Sequence, residues 1–217
     1  MGMRGLLGMV GLALVLSGVA PSVGAAPADR PRVSALLADL SVAPENASGY
    51  ERDLFPHWNY LGDGCDVRDA VLIAEALSGP RVEDDCDIVR GRWISRFDGI
   101  TVRDPSRLDV DHLVPLAEAW GSGARNWDTL TRSAFANDVD YPRTLIAVTA
   151  SSNRSKGDQD PAEWLPPRVA YRCTYAADWI GVKYRWRLSV DPEEEAALRV
   201  LVNSCGDPRI TLPPRAR

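Results

Sequence analysis

The sequence predicts an α+β fold, a mostly helical domain braced by disulfides. Three observations carry this. Apolar residues recur at helical spacing over 67–77 and 170–187. Two short runs with β-branched content, 108–112 and 145–148, read as strands. Four cysteines, Cys65, Cys86, Cys173 and Cys205, form an even set. The 217 residues, 45% apolar and 25% charged, suit one globular domain and argue against general disorder, collagen or a coiled coil.

The first 25 residues read as a secretory signal. Arg4 is the lone charge, residues 5–20 are apolar, and small residues follow up to Ala25 and Ala26. Cleavage after Ala25 removes Arg4 and takes the net charge from −5 to −6. No cysteine precedes Cys65, so no lipoprotein attachment site is present. No other apolar run approaches the roughly 20 residues that span a bilayer. The expected location is extracellular, where two disulfides are the default. Three pairings are possible. Cys65–Cys86 and Cys173–Cys205 are favoured because each closes a local loop, for about 3 kcal/mol apiece. The lack of a C-x-x-C pair argues against zinc.

Residues 26–49 form an N-terminal lead, in which Leu36, Leu37 and Leu40 suggest a small helix packed on the body. Its Asn46-Ala47-Ser48 triplet matches a glycosylation sequon, a pattern common by chance. A domain over 50–207 and a tail over 208–217 complete the chain. The helix over 67–77 is capped by Asp66 and stopped by Gly79-Pro80. Residues 90–96 read as a strand, with Asp98-Gly99 as a turn. The alternation of Leu108, Val110 and His112 with Asp109 and Asp111 gives a second strand. A helix is expected over 126–136 and a strand over 145–148. A Ser/Asn/Gly segment, 151–157, follows, and a short helix starts at 161–164. The C-terminal part is helical over 170–187, with Tyr171, Tyr175, Trp179, Val182 and Trp186 on one stripe. Asp191-Pro192-Glu193-Glu194 resembles a capping box and starts a last helix through Leu198, Leu201 and Val202.

The chemistry points to Asp111-His112 and to Asn153-Arg154-Ser155-Lys156-Gly157-Asp158, about forty residues on. An Asp directly before a His on a strand sends the two side chains to opposite faces. One can bind a metal while the other addresses a water. Carboxylate and amide oxygens are hard ligands suited to one divalent ion, Mg²⁺ or Mn²⁺. His112 is then available as a general base. Such a set suits hydrolysis of a phosphodiester, with Arg154 and Lys156 on neighbouring phosphates.

Asp111-His112-Leu113-Val114-Pro115-Leu116, Ala119-Trp120, Gly123-Ala124, Trp127, Arg132, Phe135-Ala136-Asn137-Asp138, Leu145, Asn153 to Asp158, Pro161 and Trp164 carry a resemblance. The chain resembles the HNH (His-Me finger) endonucleases, and more narrowly the secreted HNH nuclease-like proteins of actinobacteria. These share a domain with the C-terminal part of GmrSD-type restriction enzymes. The likeness covers about residues 50–205 and implies a ββα-metal (HNH) core. It also implies His112 as general base, Asp111 and Asn153 as metal ligands, and Lys156 beside the scissile phosphate. One departure stands out. Where many HNH sites carry an Asn that orients the histidine, this chain reads Pro142-Arg143-Thr144-Leu145. Thr144, Asn137 or a backbone carbonyl are the candidates to replace it.

Other residues read more plainly. His57, between Pro56 and Trp58, is expected to be structural. Most tryptophans belong to the core, with base stacking an alternative for Trp120 or Trp127. Arg125, Arg132 and Arg154 are candidates to line a substrate groove. The acids around Cys86 suit a solvated loop, and Glu193 to Glu195 suit a helix N-terminus. Residues 101–172 hold nine Arg and Lys against ten Asp and Glu, so nucleic-acid binding is expected to be modest and weakened by salt. The leading expectation is a secreted, metal-dependent endonuclease acting on DNA, or on RNA, with little sequence preference. The alternative is a catalytically weak extracellular nucleic-acid-binding module of the same fold. Absence of Gly-x-Ser-x-Gly and His-Glu-x-x-His motifs disfavours other hydrolases.

Overall fold

A computed structural model describes residues 1–2, 30–212 and 215–216. The expected signal segment therefore lies outside the described residues, Met1 and Gly2 excepted, as does most of the expected loose tail at 213–217. In chain order the elements are α1 (Val33–Ala38), β1 (Tyr60–Gly62), β2 (Cys65–Asp66), α2 (Val67–Glu75), β3 (Arg81–Val82), β4 (Ile88–Arg90), β5 (Trp93–Ile94), β6 (Thr101–Val102), β7 (Leu108–His112), α3 (Leu116–Gly121), α4 (Thr129–Ala136), β8 (Leu145–Thr149), α5 (Ala150–Lys156), α6 (Arg172–Trp186) and α7 (Pro192–Ser204). The strands pair as four two-stranded antiparallel sheets. The fold is mixed α/β with two disulfides.

The β7–β8 ribbon is the centre. Its register sets Leu108 against Thr149 and His112 against Leu145. Side chains alternate between faces. Leu108, Val110, Leu145 and Ala147 pack with Val67, Val71 and Leu72 of α2 and with Trp93. On the other face Ile146 and Val148 join a larger core with residues of α1, α3, α4, α6 and α7. A two-stranded ribbon leaves two polar edges, and side chains cover parts of both. The N–H of Ala147 donates to Glu75 Oε2 at 2.8 Å, and Arg68 donates to the carbonyl of Leu108 at 3.2 Å.

Both local disulfides form. Cys65–Cys86 ties the β1–β2 hairpin to the β3–β4 segment, and Cys173–Cys205 ties the start of α6 to the end of α7. The expected lead helix is α1, with Val33, Leu36 and Leu37 buried. Chain ends meet there, since the N–H of Val33 donates to the carbonyl of Pro208. Asp66 and Asp191 each close a full capping box.

Several boundaries differ from the expectation. α2 ends at Glu75 rather than 77, because Ala76 turns to extended backbone. The helix expected from 126 starts at Thr129, since Asp128 caps it and 124–126 make a 3-10 turn. The strand over 90–96 is broken after Arg90. Residues 161–164 form a turn, not a helix start. Residues 151–157 lie largely within helix α5, despite poor helix formers, because Thr149 caps it and Asp98 accepts from Ser152 Oγ and Thr149 Oγ1.

Lys183 of α6 is wholly buried and clamps three elements. Its ammonium donates to Glu118 at 2.5 Å, to Glu194 at 2.6 Å and to Ser122 at 3.0 Å. Glu194, expected in the capping box and at the helix dipole, is also buried and accepts from Trp179 Nε1. Carboxylate oxygens of Glu45, Glu118 and Glu194 lie within 4.8 Å of one another, and Lys183 supplies the neutralising cation. Replacing Lys183 by Ala strands two buried carboxylates. The expected loss is about 3–5 kcal/mol of unfolding free energy by urea titration. Replacing the exposed Arg199, paired with Glu195, leaves the urea midpoint unchanged.

Candidate active site

A cavity of about 230 Å³ opens at the C-terminal end of β7. It is lined by Arg52, Asp111, His112, Asn153, Arg154 and Asp158, with Val110, Pro115, Leu116 and Gly157. Asp111 and His112 leave the strand on opposite faces, yet both border the cavity because the strand ends there. Asn153 arrives on α5, which follows β8 directly.

Each of these side chains is held by a neighbour. Asp111 is buried, and both of its oxygens accept from Lys156 Nζ, at 2.9 and 2.8 Å. Burial pushes its carboxyl above the usual range, and the Lys156 charge opposes that. Asn153 Nδ2 donates to Asp109 Oδ2 at 3.0 Å. A carboxylate only accepts, so this bond fixes the amide and leaves Oδ1 free to accept or coordinate. Asp109 sits two residues before Asp111, on the same face.

His112 is 5% exposed, and its Nε2 lies 2.9 Å from the carbonyl of Ala136. A carbonyl has no proton to give, so Nε2 carries the hydrogen and Nδ1 keeps its lone pair. A backbone carbonyl thus takes the orienting role. Thr144 instead donates to Asp138, and the Asn137 side chain is bonded to Pro56, Asn59 and Ser133. Burial pushes the His112 pKa down to about 3. The Ala136 bond opposes that shift, and the charges of Arg52, His57 and Lys156 add to it.

The remaining expected residues divide. Arg154 reaches the cavity. Lys156 is not among its lining residues: the ammonium is fully buried, on Asp111 and on the carbonyl of His112 at 3.0 Å. Arg132 is not a groove residue either. Its guanidinium is consumed by the carbonyls of Leu54, at 2.8 Å, and Trp127. Arg125 is exposed but does not line the cavity. Trp120 and Trp127 pack against the larger core.

Arg52, Asp109, His57 and Trp58 escaped the sequence reading. Asp109 carried a usable signal, its period-2 relation to Asp111. Arg52 carried none, being nearly sixty residues from the motif. His57, expected to be structural, has its ring centroid 6.2 Å from that of His112. Asp111 and Asn153 bring a carboxylate and an amide oxygen to the cavity lining, hard oxygen donors of the kind that could hold a divalent ion.

Residues 81–200 match the family model described as GmrSD restriction endonucleases, C-terminal domain. A protein of Arthroderma benhamiae named "Uncharacterized secreted protein" is 44% identical over 171 residues, covering 78% of this chain and 83% of that one. No solved structure matches the chain.

The low His112 pKa has a measurable consequence. An unfolded histidine titrates near 6.5, so the folded state binds fewer protons between about 3 and 6.5. Stability from this group is complete above about 6.5 and is lost as pH falls towards 3. The expected result in a ¹⁵N-detected histidine titration is no His112 transition between about pH 5 and 8, with the proton on Nε2 throughout.

Proposed function

We propose a nuclease function for this chain, which belongs to the family of GmrSD restriction endonuclease C-terminal domains and is secreted. The reading is a metal-dependent HNH endonuclease that hydrolyses phosphodiester bonds of DNA, or of RNA, with little sequence preference. One observation carries it. An antiparallel β7–β8 pair followed by α5 brings Asp111, His112 and Asn153 to one cavity, with Arg52 and Arg154 beside them. Strand, strand, helix, with an Asp-His pair on the first strand and an Asn on the helix, is the order a ββα-metal core requires.

His112 is the general base. Its Nδ1 takes a proton from a water as the oxygen attacks phosphorus, and the bond from phosphorus to the leaving oxygen breaks. Burial keeps the ring neutral at neutral pH, with the Nδ1 lone pair available, and lowers its basicity. An approaching phosphate anion raises its proton affinity as the transfer proceeds. Asp111 and Asn153 Oδ1 would hold one divalent ion, which would supply neutralisation of the charge that gathers on the phosphate. Lys156 acts from behind, fixing Asp111 in place. Arg52 and Arg154 hold the flanking phosphates as exposed cations at the cavity rim.

Nicking of supercoiled plasmid tests this. The expected outcome is cleavage with Mg²⁺ or Mn²⁺, none with EDTA, and a loss of about 10²–10⁴-fold in His112→Ala. Binding of DNA or RNA without turnover at any divalent metal would replace the reading with a binding module. Arg52→Ala and Arg154→Ala, each in the His112→Ala background, are expected to lower affinity for duplex DNA. Each should also reduce the slope of log K against log salt by about 0.9.

A further inference from the structure

The geometry points to residues 55–59 as a strap that sets the ring orientation of His112, latched by Asn137; His57, Trp58 and Asn137 are its positioning residues. The strap lies outside the residues that match the family model. Its base is Phe55, which is wholly buried and whose carbonyl accepts from His57 Nδ1 at 2.7 Å. The Trp58 ring centroid lies 5.4 Å from that of His112, tilted by 35°. The His57 ring stands edge-on to His112, at 82°. Trp58 has φ +58°, a backbone conformation that bulky residues seldom adopt, so tertiary contacts hold it there.

Asn137 supplies those contacts. Its Nδ2 donates to the carbonyl of Pro56 and its Oδ1 accepts from the N–H of Asn59, both at 2.9 Å. Asn59 Nδ2 adds a bond to Ser133 Oγ at 3.2 Å. Ala136, the neighbour of Asn137, accepts from His112 Nε2. One helix end therefore holds both the far nitrogen of His112 and the strap across its ring. A single hydrogen bond leaves an imidazole free to swing about Cβ–Cγ. Two packed rings restrict that freedom for a ring that lines the cavity. Where the chain has Pro142-Arg143-Thr144 in place of an orienting Asn, the strap works together with the Ala136 carbonyl to orient the ring.

The activity arm of the test rests on His112 being the base; the spectroscopic arm does not. The full chain, wild type and as Asn137→Ala, Trp58→Ala and Trp58→Phe, would be compared by ¹⁵N histidine spectra and by nicking kinetics. The expected wild-type spectrum shows one tautomer of His112, protonated at Nε2. Asn137→Ala and Trp58→Ala should give mixed tautomers and a fall in kcat of about tenfold or more, with KM within about twofold. Trp58→Phe should restore both. If Trp58→Ala fails to fold, Asn137→Ala decides. An unchanged single tautomer in the folded variants overturns the strap, whatever the activity. Mixed tautomers in these variants of a protein that cleaves neither DNA nor RNA would sustain the strap and sink the nuclease reading instead.

Discussion

The ion pair between Lys156 and Asp111 holds the site together. Lys156 has no exposed surface, and its ammonium meets both Asp111 oxygens and the carbonyl of His112. It thereby ties the end of α5 to the end of β7, the two elements that carry the candidate ligands. Removing the lysine would strand a buried carboxylate, a strongly destabilising change, and would also untie α5 from the strand. The same contact bars Lys156 from meeting a phosphate directly.

Both lysines of the chain follow this plan. Lys156 and Lys183 are the only two, and each is fully buried against carboxylates. The exposed cations are arginines, so Arg52 and Arg154 at the cavity rim belong to a surface population while the lysines belong to the interior. A compact ammonium with three rotatable donors suits a point where several acceptors converge. Lys183 joins α3, α6 and α7 in this way, behind the helices that back the β7–β8 ribbon.

The C-terminal end of α4 completes the arrangement. Ala136 accepts the hydrogen bond of His112 Nε2 through its carbonyl, and Asn137 anchors the segment that carries His57 and Trp58. At the start of α5, Asp98 accepts from Ser152 and Thr149. Burial opposes the ionised form of Asp98, but these bonds and one from Ile100 hold its carboxyl below the usual range. The site thus depends on helix ends, where backbone groups lack helical partners and can be aimed at side chains.

Local signals determined much of this protein by themselves. The capping aspartates at 66 and 191, the apolar stripe of α6 and the short cysteine loops each involve residues near in sequence, so pattern alone placed them. Asp111 and His112 were legible as a pair at a strand end, and Asn153 as part of the segment that follows the second strand. The two-residue strands β2, β3 and β6 were not, since a period cannot be read from two residues. Tertiary structure alone decided that Lys156 faces inward, that Arg132 is consumed by carbonyls, and that Arg52, His57 and Trp58 join the site. Those outcomes turn mainly on long-range contacts, such as Lys156 with His112, 44 residues apart, and Arg132 with Leu54, 78 apart. No periodicity reports a contact of that range; only the packing of one element against another creates it.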